Sequence, residues 1–329
     1  MRGVFWLVSV AAIGAASLTA AWFITAPQPA SSRLPAGTFD RTGDPARGQL
    51  VFAAGDCASC HASPGQSDRL RLGGGLALAS PFGTFRAPNI SPDPVDGIGA
   101  WHTSDLANAL LSGVSLDGRH YYPVFPYPSF AHMSPADVID LMAYLRTLPP
   151  VSGRAPAHEL NPLFRIRRLV GLWKLLYFDQ RPIEPDKNRD EEWNRGRYLA
   201  ESVGHCAECH SSRDELGGIK EKTRFAGGVD PEGTGYYPNI TEQHIGSWSV
   251  QDLATMLRTG ETPERMRVGS SMSEVVTNLA MLPESDRHAI ATYIKSLPGR
   301  PTPGREPLSA NRGRPRRRGP PAPRCRTAA

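Results

Sequence analysis

The chain has 329 residues, room for two small domains plus appendages, and 40% of them are hydrophobic, enough for a packed core. Its 31 Pro and 32 Gly point to short elements joined by many loops. The formal charge is +5, but residues 299–329 hold nine Arg against one Glu, a net +8, so the rest of the chain sums to −3; the basic balance belongs to a tail, and no nucleic-acid partner is expected.

The chain opens Met1-Arg2-Gly3 and runs on, largely apolar and uncharged, from Val4 to about Ala26; the next charge is Arg33. A run of about 20 apolar residues is long enough to span a bilayer and exceeds the about 7–15 residues of a cleaved signal core. Thr25-Ala26-Pro27 offers no small-x-small cleavage site. We therefore expect residues 1–30 to be a signal anchor, a transmembrane helix in the bacterial inner membrane with its positive end inside, in preference to a cleaved signal peptide. Either way, the chain beyond about residue 30 is expected in the periplasm.

Asp44-Pro45 reads as an N-cap followed by the first helical residue. The helix it opens leads into Cys57-Ala58-Ser59-Cys60-His61, and the same pattern returns as Cys206-Ala207-Glu208-Cys209-His210. Both are CxxCH, the pattern of haem c attachment. Two thiols add to the two vinyl groups of one porphyrin, and two intervening residues on a helical turn set the sulfurs apart. The adjacent histidine then falls beneath the iron. Disulfides, a zinc site and a redox CxxC are the competing readings. A four-cysteine zinc site does not require a histidine after each pair, and no α/β context for a redox pair is visible. Cys325, the fifth cysteine, stands alone in the tail. We expect two covalently bound haem c groups, attached at Cys57/Cys60 and Cys206/Cys209, with His61 and His210 as proximal iron ligands.

The chain repeats itself around these motifs. Gly48-Gln49-Leu50 matches Gly196-Arg197-Tyr198-Leu199, and Pro88-Asn89-Ile90-Ser91 matches Pro238-Asn239-Ile240-Thr241. Ile98-Gly99-Ala100-Trp101 matches Ile245-Gly246-Ser247-Trp248, and Gly113 matches Gly260. Each unit closes on a helix ending in Leu-Pro, at Leu148-Pro149 and Leu297-Pro298. Ser134-Pro135 opens a helix with Val138, Leu141, Met142 and Leu145 on one face, and Ser249-x-x-Asp252 is a capping-box pattern. No alternating run is long enough for a sheet. The expected fold is all-α: two tandem class I cytochrome c domains, 40–150 and 193–298, each around one covalent haem, with the N-terminal transmembrane anchor. Residues 151–192 join them. That linker holds an apolar and basic helix that either packs against both domains or binds a membrane surface or partner. Residues 299–329 form an Arg/Pro-rich tail expected to be disordered.

Each iron needs its other axial position explained. In the second unit Met272 is the candidate distal ligand, in a loop before the last helix, with Met266 and Met281 as rivals. At the same offset from its tryptophan the first unit has Phe125, which has no ligating atom. Met133, directly before the closing helix, is favoured there, with His120 and His132 as alternatives; Met142 is expected in the core. Trp101 and Trp248 are either propionate donors or core aromatics, and Asn89 and Asn239 either fix loops or reach the haem edge.

Three stretches carry a resemblance. They are Trp193-Asn194-Arg195-Gly196-Arg197-Tyr198-Leu199-Ala200 with its CxxCH, Tyr122-Pro123-Val124-Phe125-Pro126-Tyr127-Pro128-Ser129-Phe130, and Pro88-Asn89-Ile90-Ser91. Residues 40–298 resemble the cytochrome c subunits of membrane-bound bacterial alcohol and gluconate dehydrogenases. The resemblance implies a non-catalytic subunit that takes electrons from a periplasmic dehydrogenase and passes them to the respiratory chain, to quinone, a cytochrome or a terminal oxidase. It also implies Met272 as the second haem's distal ligand. Those subunits typically carry three haems, whereas this chain has two motifs, and Phe125 stands where some members have Met. The alternative is a dihaem enzyme, a peroxidase or thiosulfate-oxidising cytochrome, with a catalytic first haem.

Overall fold

A computed structural model describes residues 2–231 and 235–304. Cys325 and nearly all of the Arg/Pro-rich tail fall outside the described residues. The N-terminal run forms α1 (Arg2–Ile24). Among the described residues, however, no helix is long and apolar enough to cross a membrane. The expected transmembrane anchor, and the inner-membrane placement that rested on it, are therefore corrected. Low charge and length suggested a span, but Ser9, Gly14, Ser17 and Thr19 dilute the apolar character of the helix.

The first half of the chain contains α2 (Pro45–Ala54), α3 (Cys57–His61), β1 (Ala77–Ser80), β2 (Gly83–Arg86), α4 (Thr103–Ser112), α5 (Tyr127–Phe130) and α6 (Pro135–Leu145). β3 (Glu159–Leu160) and α7 (Leu169–Tyr177) follow in the linker. The second half begins with α8 (Glu191–Tyr198), which runs on into a π-helical turn, Leu199–Val203. It continues with α9 (Cys206–Cys209), β4 (Gly228–Val229), β5 (Tyr236–Tyr237), α10 (Glu242–Ile245), α11 (Val250–Thr259), α12 (Ser271–Leu279) and α13 (Glu284–Lys295). The strands qualify the all-α expectation. β1, β2 and β3 form a three-stranded antiparallel sheet in that order, with Gly83 opposite Leu160, and β4 pairs with β5. At two to four residues each they are too short to show an alternating pattern.

The predicted caps are present. Asp44 accepts from the Ala46 and Arg47 N–H groups, Ser134 accepts from Asp137 N–H, and Ser249 and Asp252 form a reciprocal box. The repeated glycines explain how the helices cross. A Cβ on Gly48 would stand 1.9 Å from the Asp140 carbonyl oxygen on α6, and one on Gly196 would stand 1.9 Å from that of Ala289 on α13. Leading and closing helices therefore touch backbone to backbone in both halves. Phe52 against Tyr144 and Trp193 against Tyr293 pack edge-on beside these crossings, at 5.3 and 5.2 Å between ring centres. The larger of two hydrophobic clusters among the described residues runs through both halves, from Phe52, Leu141 and Leu145 to Leu199, Leu253, Ile290 and Ile294.

The linker touches both halves. Lys174 on α7 donates to the Ser112 and Gly113 carbonyls at 2.6 and 2.9 Å, and its ammonium lies over the Tyr127 and Phe178 rings. On the other side the Tyr177 hydroxyl donates to Asp214 at 2.7 Å. Leu172, Leu175 and Leu176 of the same helix stay exposed.

Candidate haem sites

The first leading helix and the π-helical turn that extends the second end at Ala54 and Val203, two residues before a backbone reversal. Asp56 (φ 53°) and His205 (φ 40°) occupy the left-handed region, and each is followed at once by a helical turn that begins with the first cysteine. The reversal turns the chain so that both cysteines and the histidine share one short turn. Cys57, Cys60, Cys206 and Cys209 are free thiols, half-buried. Burial pushes Cys57 and Cys206 up to about 12 and Cys60 and Cys209 to about 11. Redox-active cysteines and thiolate metal ligands need the opposite shift. Among the described residues no three His, Cys, Asp or Glu side chains converge into a metal-binding group. The zinc reading therefore lacks a ligand cluster among the described residues, and both cysteine pairs are half-buried free thiols.

The two histidines share one arrangement. His61 Nδ1 lies 2.8 Å from the Pro88 carbonyl oxygen, and His210 Nδ1 lies 2.7 Å from that of Pro238. Burial lowers both pKa values, which keeps the rings neutral. A neutral ring donating from Nδ1 presents its Nε2 lone pair, and a carbonyl behind a ligating histidine fixes tautomer and orientation. The sequence pattern showed these prolines only as part of a repeat; their carbonyls hold the histidine rings.

The neighbouring asparagines fix those loops. Asn89 Nδ2 donates to the Val151 and Gly153 carbonyls at 2.6 and 2.9 Å, and its Oδ1 accepts from Ser91 N–H. Asn239 does the same with the Arg300 carbonyl (2.7 Å) and Thr241 N–H (2.8 Å). Trp248 donates its indole N–H to Glu264 at 2.9 Å.

The distal candidates separate. Met133 is buried, 5% exposed, in the core directly ahead of α6. Met272 is half-buried against the same core. It stands in the first turn of α12, not in a loop, because Ser270 (φ 54°) reverses the chain just before it. His120 is turned away, its Nε2 2.9 Å from the Thr25 carbonyl oxygen, and His132 Nδ1 lies 2.5 Å from that of Arg181. Met142 lies fully in the core, while Met266 and Met281 are exposed. The Phe125 ring sits among Tyr121, Tyr127 and Phe130, with centres 5.6–6.3 Å away.

Fold and motif together describe a cytochrome, and comparison with known proteins agrees. The family model for cytochrome c matches residues 45–149. A dihaem cytochrome c-type protein of Cereibacter sphaeroides is 47% identical over 89% of this chain and 96% of its own length. The fructose dehydrogenase cytochrome subunit of Gluconobacter japonicus is 35% identical over 84% of the chain and 55% of its own length. The cytochrome c subunit of a quinone-linked alcohol dehydrogenase from Gluconacetobacter polyoxogenes is 33% identical over 77% and 55%. The chain thus spans about half the length of the dehydrogenase subunits it matches. It belongs to the cytochrome c family. It is a dihaem member with two covalently bound haem c groups, and its role is electron transfer rather than catalysis.

Proposed function

We propose that the chain relays single electrons, in the periplasm, from a dehydrogenase subunit to a respiratory acceptor. The two haems lie in domains 40–150 and 193–298. The first is attached through Cys57 and Cys60, with His61 proximal and Met133 distal. The second is attached through Cys206 and Cys209, with His210 proximal and Met272 distal. Bound haem supplies an iron that gains and loses one electron. The protein's part is to hold that iron closed and dry. The proline carbonyls orient the imidazoles, the asparagines brace the proline loops, and the thioethers of Met133 and Met272 would complete the coordination.

The observation that carries this reading is the doubled His–Pro arrangement, at 2.8 and 2.7 Å. Two sites with one plan suit a two-centre relay, whereas a catalytic haem needs an open face. Met133, buried and unengaged by the contacts that occupy His120 and His132, closes the first site. Relatives named as cytochrome subunits of fructose and alcohol dehydrogenases support a dehydrogenase as donor.

The test is Met133→Ala in the full holoprotein. The variant is expected to keep two attached haems, lose the first haem's share of the sulfur-to-iron charge-transfer band, and acquire a lower potential at that haem. An unchanged band would exclude Met133 as ligand. Peroxidase turnover by the wild-type protein would exclude a pure relay.

A further inference from the structure

The residues that join the two halves link one haem's distal side to the other haem's attachment loop. Asn278 is buried on α12, the helix that carries Met272. Its Nδ2 reaches across the molecule and donates to Asp56, which precedes Cys57, and to Ser59 Oγ at 3.2 Å, between Cys57 and Cys60. Ser59 Oγ itself donates to Asp56 Oδ1 at 2.6 Å. One turn earlier on the same face of α12, Glu274 pairs with Arg69 at 2.5 Å, and Arg69 also donates to Ser59 Oγ at 3.2 Å.

The reciprocal contact is made by α5, which ends three residues before Met133. Ser129, buried, donates from Oγ to Glu208 Oε1 at 2.9 Å, between Cys206 and Cys209, and Arg213 pins that carboxylate at 2.6 Å. The next residue, Phe130, packs edge-on to His205 with ring centres 5.4 Å apart, and accepts the Met133 N–H at 2.9 Å on its carbonyl. His205 Nε2 in turn lies 3.3 Å from the Gly55 carbonyl oxygen.

We propose that the two distal ligands are crossed: each methionine is held on its iron by the attachment loop of the other haem, with Asn278 and Ser129 as the positioning residues. This rests on Met133 and Met272 being the ligands. A thioether is a neutral ligand with no charge to draw it to iron, so its reach is set by where the chain holds it. α12 has only nine residues and a reversal at Ser270, so its anchorage is largely external. A buried polar side chain is retained at a cost unless its hydrogen bonds are made, so Asn278 specifies one seating of α12 against α3.

The experiment compares Asn278→Ala, Ser129→Ala and Asp56→Asn with Met272→Ala and Met133→Ala, all as full-length holoprotein. It reads haems per chain, the near-infrared sulfur-to-iron band and the two midpoint potentials. Asn278→Ala should keep both haems, weaken the band share that Met272→Ala abolishes, and lower the second haem's potential. Ser129→Ala should do the same to the share that Met133→Ala abolishes. Asp56→Asn retains an acceptor oxygen and tolerates the left-handed backbone, so its band should match the wild type. If Asn278→Ala is obtained without both haems, Glu274→Gln reads the same strap, with a smaller change of the same sign. Wild-type bands and potentials in Asn278→Ala and Ser129→Ala, beside clear losses in the methionine variants, overturn the crossing alone. So does Asn278→Ala acting on the first haem. Intact bands in the methionine variants overturn the ligand assignment, and the crossing with it.

Discussion

A proline carbonyl and an asparagine amide do at each site what the cysteines and histidine cannot do alone. Asn89 and Asn239 are buried and hold loop backbone, and Asn239 also bonds the Thr241 and Thr302 hydroxyls. Asn89→Ala or Asn239→Ala strands buried carbonyls and should cost about 1–3 kcal/mol, read as a lower unfolding temperature with both haems retained. Which role the asparagines take could not be read from sequence, because a loop brace and a haem-edge donor call for the same residue. His120 makes a second prediction. Burial, with Lys174 and Arg168 nearby, lowers its pKa to about 4. The unfolded chain binds that proton near pH 6.5. Between those values the unfolded state holds more protons, so stability is present above about pH 6.5 and falls as the pH drops toward 4. His120→Gln should remove that part of the slope, on the order of 2 kcal/mol, in unfolding temperatures measured from pH 7.5 to 4.

Among the elements, the helix caps were the most legible, whereas the crossings showed only as glycines repeated in the sequence. Gly48 and Gly196 sit at matching places in the repeat, and the capping residues at 44, 134 and 249 lie where the chain requires them. The physical reason is local: caps and close approaches constrain single positions. Gly48→Ala and Gly196→Ala force backbones apart and should each cost at least about 1–3 kcal/mol. Gly269→Ala, with nothing within 4 Å of its new Cβ, should change the unfolding temperature little. The short strands were illegible because two residues carry no period. β3 joins its sheet through Gly83 opposite Leu160, a pairing of chain segments far apart in sequence. The position of Met272 on a helix was missed for a different reason. Ser270 adopts a positive φ that serine seldom takes, so nothing in the residues announced the reversal. The N-terminal helix was legible as a helix, but its described residues do not make a membrane span.

At the scale of the molecule, the repeat announced two haem sites but not how they meet. The bonds between Asn278 and Asp56 and between Ser129 and Glu208 each join single polar residues from different halves. Such contacts leave no pattern in one sequence. Their effect is to pack both attachment turns against one core, with Ala58 and Ala207 buried in it and Cys57 and Cys206 packed against it. That arrangement suits passage of an electron from one centre to the next. The account stands or falls on two closed sites, each with one histidine and one methionine on iron. The most direct measurement is near-infrared magnetic circular dichroism of the oxidised full-length holoprotein, scaled to its haem content. It should show two low-spin haems per chain, both with histidine–methionine ligation. A high-spin haem, or a bis-histidine signature at either site, would contradict it.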